Sequence, residues 1–78
     1  MNQQFFLQGP GVCADAVFEV DGTAHVRVTA ETGMTGCYLD RLPVEDARAV
    51  YRELVARGWS RVQTPRRSAR EIAMSING

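Results

Sequence analysis

Apolar and polar residues alternate with a period of two from Ala14 to Glu31, interrupted only at Asp21-Gly22. Ala14, Ala16, Phe18 and Val20 fall on one side of the first segment. Across the turn, Ala24, Val26, Val28 and Ala30 face one way, and His25, Arg27, Thr29 and Glu31 the other. This alternation marks half-buried strands, and an Asp-Gly pair between two such segments is a strong hairpin signal. The pattern predicts an antiparallel hairpin with one apolar and one polar face. Phe5-Phe6-Leu7 predicts a strand before it, closed by the turn residues Gly9-Pro10-Gly11. Cys37-Tyr38-Leu39 predicts another strand after the glycine-threonine loop Thr32-Gly33-Met34-Thr35-Gly36.

The period then changes. Val44, Ala47, Val50, Tyr51, Leu54 and Val55 recur at three- and four-residue spacing, which gives one apolar stripe on a helix. Pro43 suits the first turn because its missing N–H has no intrahelical partner there. Glu45 and Asp46 complement the positive end of the helix dipole. Gly58 stands where a left-handed residue closes a helix, and Trp59 beyond it can fold back on the last turn. Trp59 and Val62 suggest a fifth, edge-like strand before Pro65.

Together these elements predict an α+β fold: a small antiparallel sheet of three to five strands, arranged as a β-hairpin meander. One amphipathic helix, about 43–57, packs on one face, followed by a short strand and a tail. Residues 1–63 form the compact domain, and 64–78 an arginine-rich tail that is a short helix or disordered. At 78 residues a single core is near the lower limit of self-sufficiency. Phe5, Phe6, Val17 and Tyr38 cannot all lie under the helix, so the mirror face keeps apolar surface. Self-association into a homodimer or other homo-oligomer is a natural use of such a face.

The block Val44-Glu45-Asp46-Ala47-Arg48-Ala49-Val50-Tyr51-Arg52-Glu53-Leu54-Val55-Ala56-Arg57-Gly58-Trp59-Ser60-Arg61-Val62 resembles the helix-Gly-Trp segment of small uncharacterised cyanobacterial proteins. That resemblance covers about a quarter of the chain. It implies a β-plus-helix module and no particular catalysis.

Charge adds the one functional signature. Net charge is zero, yet from Leu54 to Arg70 the chain carries Arg57, Arg61, Arg66, Arg67 and Arg70 and no acid. Arginine suits carboxylate and phosphate forks, so these five residues are the candidate partner-binding set. An acidic protein surface recruits them without requiring a basic protein. A small nucleic-acid binder using the same arginines is the alternative, although such domains usually carry a strongly basic balance.

Other chemistry is sparse. His25, the only histidine, lies on the polar strand face, and a Cys37–His25 pair would lack a third, orienting group. Cys13 and Cys37 lack metal-ligand spacing and are expected to be inert, apolar thiols. The Gly33–Gly36 loop leads into a strand, whereas a phosphate loop leads into a helix. No catalytic, cofactor or metal site is expected. The N-terminus lacks a basic signal-peptide start, and no apolar run reaches the ~18 residues of a membrane span. The expectation is a cytoplasmic, non-enzymatic protein-interaction module, self-associating, with an arginine-rich C-terminal segment for an acidic partner.

Overall fold

The computed structural model describes residues 3–11, 14–32 and 37–77. It has an α+β fold built on one antiparallel sheet of β1 (Gln3–Gln8), β2 (Asp15–Val20), β3 (His25–Glu31), β4 (Cys37–Pro43) and β5 (Ser60–Val62). The strand order is β4-β3-β2-β1-β5. A four-strand meander is thus extended beside its first strand by β5, which arrives after α1 (Val44–Ala56). β5 runs antiparallel to β1 and hence parallel to β4, so α1 is the crossover between the two sheet edges. A second helix, α2 (Ala69–Asn77), follows.

The hairpin register is Val20↔Val26 through Asp15↔Glu31, which puts Ala16, Phe18, Val26, Val28 and Ala30 on one face. They form the main core with Leu7, Ala47, Leu54 and Trp59. Val55, expected in the apolar stripe of α1, is 46% exposed; it lies just outside the arc that meets the sheet. β4 extends beyond the apolar trio Cys37–Leu39 because its ladder with β3 continues to His25↔Pro43. Pro43 therefore ends a strand and serves as the N-cap of α1.

Both ends of the crossover are fixed by local bonds. At the C-terminus, the Gly58 N–H donates to the Val55 carbonyl (3.0 Å) and the Trp59 N–H to that of Leu54 (3.1 Å), the two bonds of a Schellman close. Gly58 supplies the required positive φ of 97°. Trp59 is then delivered onto β1, 7% exposed, with its indole lying on Gly9. A methyl group at Gly9 would fall 2.7 Å from the indole Cδ2 and Nε1, well inside contact distance.

The mirror face is the main departure from expectation. α2 packs across β3 and β2 there, and Ile72 (0% exposed), Val17 (1%) and Thr29 (4%) are buried. The segment beyond residue 63 therefore belongs to the packed unit, and its apolar helix covers much of the surface expected to remain bare. A local signal accompanies this. Ser68 accepts from the Glu71 N–H (3.2 Å) while the Glu71 carboxylate accepts from the Ser68 N–H (3.3 Å). This reciprocal capping box is encoded by Ser68-Ala69-Arg70-Glu71.

The β2–β3 turn is held by Asp21. Its Oδ1 accepts from the Thr23 hydroxyl (2.6 Å) and the Thr23 N–H (3.1 Å), and Arg41 Nη2 lies 3.3 Å from Oδ2. The Thr23 bonds, chiefly, and the Arg41 charge hold this carboxyl below its ordinary 3.8.

Two outcomes follow. Gly9→Ala should lower stability by about 1–3 kcal/mol, read from urea midpoints, because Trp59 must leave its seat. A carboxyl depressed by folding contributes stability that is present above its unfolded pKa and lost as pH falls through the folded value. Asp21→Asn should therefore flatten the loss of stability below about pH 4 relative to the parent, measured by denaturation across that range.

Candidate functional site

The two adjacent arginines of the tail are drawn into the fold. The β2–β3 register places Asp15 directly opposite Glu31, and like charges so placed repel. Asp15 is 3% exposed, so water screens it little. Arg66 and Arg67 supply the compensation. Arg66 Nε donates to Asp15 Oδ1 (3.0 Å), and its Nη1 and Nη2 donate to the carbonyls of Gly11 and Ala14 (both 3.2 Å). Arg67 Nε donates to Asp15 Oδ2 (2.9 Å) and Nη1 to Glu31 Oε2 (3.1 Å).

Arg67 thus bridges both carboxylates. Its Nη2 also lies 2.9 Å from Asp15 Oδ2, but without hydrogen-bond alignment, since that atom is buried with no partner. Burial works against the charge on Arg67, yet the bonds to Asp15 and Glu31 outweigh it and raise its pKa. The guanidinium is locked on at every ordinary pH. This corrects the reading of Arg66 and Arg67 as free partner-binding groups: acids distant in sequence but adjacent in the sheet already hold them.

The other three expected arginines do not share a surface. Arg57 pairs with Glu53 on α1 (2.9 Å). Arg61 extends from β5 with its guanidinium over the Phe5 ring, 4.8 Å from the centroid. Arg70 lies on α2, on the opposite face of the sheet. The continuous strip that would serve an acidic surface or a nucleic-acid backbone is dispersed by the fold.

Two of the open recesses among the described residues bring arginines together with apolar groups. One, of about 380 Å³, lies beneath the first turns of α1, where Phe5, Phe18, Val20 and Tyr51 meet Arg48 and Arg61. Phe18 and Tyr51 stand edge to face there, centroids 5.5 Å apart. The other, of about 590 Å³, lies between α2 and β4, with Arg27, Arg41 and Arg70 beside Glu19, Asp40 and Leu39. Neither recess was legible as a unit in the sequence, because each joins residues from at least three elements.

His25 and Cys37 sit at opposite ends of the β3–β4 ladder, opposite Pro43 and Glu31 respectively. At ~3.3 Å per residue their backbones are about 20 Å apart, so they cannot act as a nucleophile–base pair. Cys37 is exposed, because its position is the start of an edge strand. Cys13 and the Gly33–Gly36 loop lie outside the described residues. Among the described residues, no group of three His, Cys, Asp or Glu is placed to hold a metal ion, and no helix is long and apolar enough to cross a membrane. No protein-family model, curated protein or solved structure matches the chain.

Arg67→Ala should destabilise the protein by about 3 kcal/mol, because it strips Glu31 of its cation and leaves Arg66 alone to offset both facing acids. Arg66→Ala, at a 36% exposed side chain, should reduce stability by only about 1 kcal/mol. Amide exchange should show early loss of protection across residues 69–77 in Arg67→Ala; retained protection there would dissociate the ion pairs from α2.

Proposed function

We propose that this protein is a non-enzymatic interaction module that associates with a second copy of itself along β4. The observation that carries this reading is the direction of the β4 backbone groups. The Val44 N–H donates to the Ala24 carbonyl at 3.2 Å, and that pair falls in the register of His25↔Pro43. In an antiparallel ladder hydrogen-bonded pairs alternate, so the even-numbered residues of β4 bond to β3. Cys37, Leu39 and Arg41 turn their amide groups away from the sheet.

That outer edge is seven residues long, carries no further strand among the described residues and presents Leu39 at 41% exposure. An uncovered edge of this kind is a template for another strand. A second copy can pair without opposing like charges in a register whose two-fold axis passes through Leu39, the most apolar exposed position of the edge. Leu39 then pairs with the partner's Leu39, Cys37 with the partner's Arg41 and Tyr38 with the partner's Asp40. Moving the axis to Asp40 opposes two carboxylates, and moving it to Arg41 opposes two guanidinium groups, both unfavourable.

Asp40 modulates the edge. Its Oδ1 accepts from the Arg41 N–H at 2.7 Å, occupying a donor that the second strand would use. The association is therefore weak and concentration-dependent. The separation of His25 from Cys37 supports the non-enzymatic part of the reading.

Sedimentation equilibrium up to about 1 mM should show the mass rising from one 8.6 kDa chain toward two. Asp40→Ala should strengthen association, and Leu39→Lys should abolish it while leaving the fold intact. Hydrogen-bonded antiparallel partners lie ~5.5 Å apart at Cα, within reach of a disulfide. With Cys13 and Cys37 replaced by Ser, Leu39→Cys should therefore cross-link between chains faster than Arg41→Cys. A constant single-chain mass, or equal cross-linking at both positions, would sink the proposal.

A further inference from the structure

We infer that the cleft beneath α1 is a binding site for an aromatic carboxylate, with Arg48 and Arg61 as its two anion-recognising groups. It lies on the α1 face, under the helix that crosses the sheet, and does not depend on pairing along β4.

The inference begins with which arginines lack a partner. Arg41, Arg57, Arg66 and Arg67 each form an ion pair, whereas no carboxylate lies within 4.0 Å of Arg27, Arg48, Arg52, Arg61 or Arg70 among the described residues. Of these five, only Arg48 and Arg61 share a recess without an acid in its lining. Arg27 and Arg70 open onto Glu19 and Asp40. The α1 cleft therefore carries two positive charges and no acid at a largely apolar site, whose one other polar side chain besides the Tyr51 hydroxyl is the neutral amide of Gln3.

Their origins keep them apart. Arg48 projects from α1 and Arg61 from β5, on opposite walls, with Phe5, Phe18 and Val20 between them on the strands. Arg61 is partly preorganised because its guanidinium stands over the Phe5 ring. Stacking engages the face of the guanidinium and leaves its in-plane N–H fork available to a carboxylate. Arg48 has Arg52 one turn onward on α1, a like charge that disfavours leaving both unpaired and that an anion would relieve.

The rest of the cleft specifies the body of the ligand. Its volume of about 380 Å³ falls within the ~300–1,000 Å³ of small-molecule sites. The walls are the rings of Phe5, Phe18 and Tyr51 and the methyls of Val20, Val26 and Val44. Aromatic surfaces in this edge-to-face arrangement favour a flat ring among them. A small inorganic anion would satisfy the arginines but leave the apolar walls wet. A neutral hydrocarbon would fill the walls but leave the arginines unpaired. An aromatic carboxylate satisfies both.

The test is calorimetric titration of the full chain with 2-naphthoate, its neutral analogue 2-naphthamide and inorganic phosphate. Saturable binding of naphthoate is expected, at least about tenfold tighter than the amide, with no binding of phosphate at the same concentration. Arg48→Gln and Arg61→Gln should each weaken naphthoate about tenfold at unchanged thermal midpoint, whereas Arg70→Gln, on the other face, should bind as the parent does. Equal affinity for acid and amide, saturable phosphate binding, full affinity in both arginine variants, or no saturable naphthoate binding would each overturn the inference. Since Leu39→Lys leaves the cleft intact, naphthoate binding by that variant separates this site from the β4 edge.

Discussion

The fold turns on the carboxylate of Asp15. Pairing β2 with β3 in the register that buries Phe18 and Val28 forces Asp15 opposite Glu31, with Asp15 almost fully buried. Two facing acids there are tolerable only if cations meet them with good hydrogen-bond geometry. Arg66 and Arg67 do so from the far end of the chain, using both Asp15 oxygens and the neighbouring carbonyls of Gly11 and Ala14. The same contacts set where the chain goes next. After Arg67 comes the Ser68–Glu71 capping box, so α2 starts at the sheet surface and lays Ile72 against the mirror face. An electrostatic requirement at the start of β2 thereby positions the covering of a second apolar layer.

The opposite face follows a different logic. α1 leaves β4 through Pro43, crosses the sheet and ends in the Schellman close that swings Trp59 onto Gly9. That seals the far end of the helix against β1, through a contact that admits no side chain at Gly9. A helix about 10 Å wide cannot cover five strands spaced about 4.8 Å apart. With its C-terminal end fastened at Trp59, α1 leaves the beginning of β1 and the end of β2 open below its first turns. The cleft holding Phe5, Phe18 and Tyr51 is the geometric remainder of that crossing.

These two arrangements sort the arginines by role. Arg66 and Arg67 neutralise buried acids, and Arg57 and Arg41 answer single exposed ones. Arg48 and Arg61 face a largely apolar recess with no acid in its lining. A linear strip of arginines is therefore a poor guide to function here, because what distinguishes them is the charge each meets in space. The open β4 edge is likewise defined by an absence of neighbours that sequence cannot display, and it is moderated by Asp40 capping one outward N–H.

The sequence by itself determined the elements that rest on contacts a few residues apart. The hairpin followed from period-two alternation around Asp21-Gly22, α1 from its apolar spacing, and its stop from Gly58-Trp59. The start of α2 was written locally too, in the capping box of Ser68-Ala69-Arg70-Glu71. What only the tertiary structure decided was which distant groups meet, Asp15 with Arg66 and Arg67 and Gly9 with Trp59, and which line one recess, as Arg48 and Arg61 do. These pairings depend on strand register, on the crossover to β5 and on which face each helix takes. The reason is physical. Local hydrogen bonding and hydrophobic period act over one or two turns of chain, whereas charge compensation and cavity shape depend on distance in space.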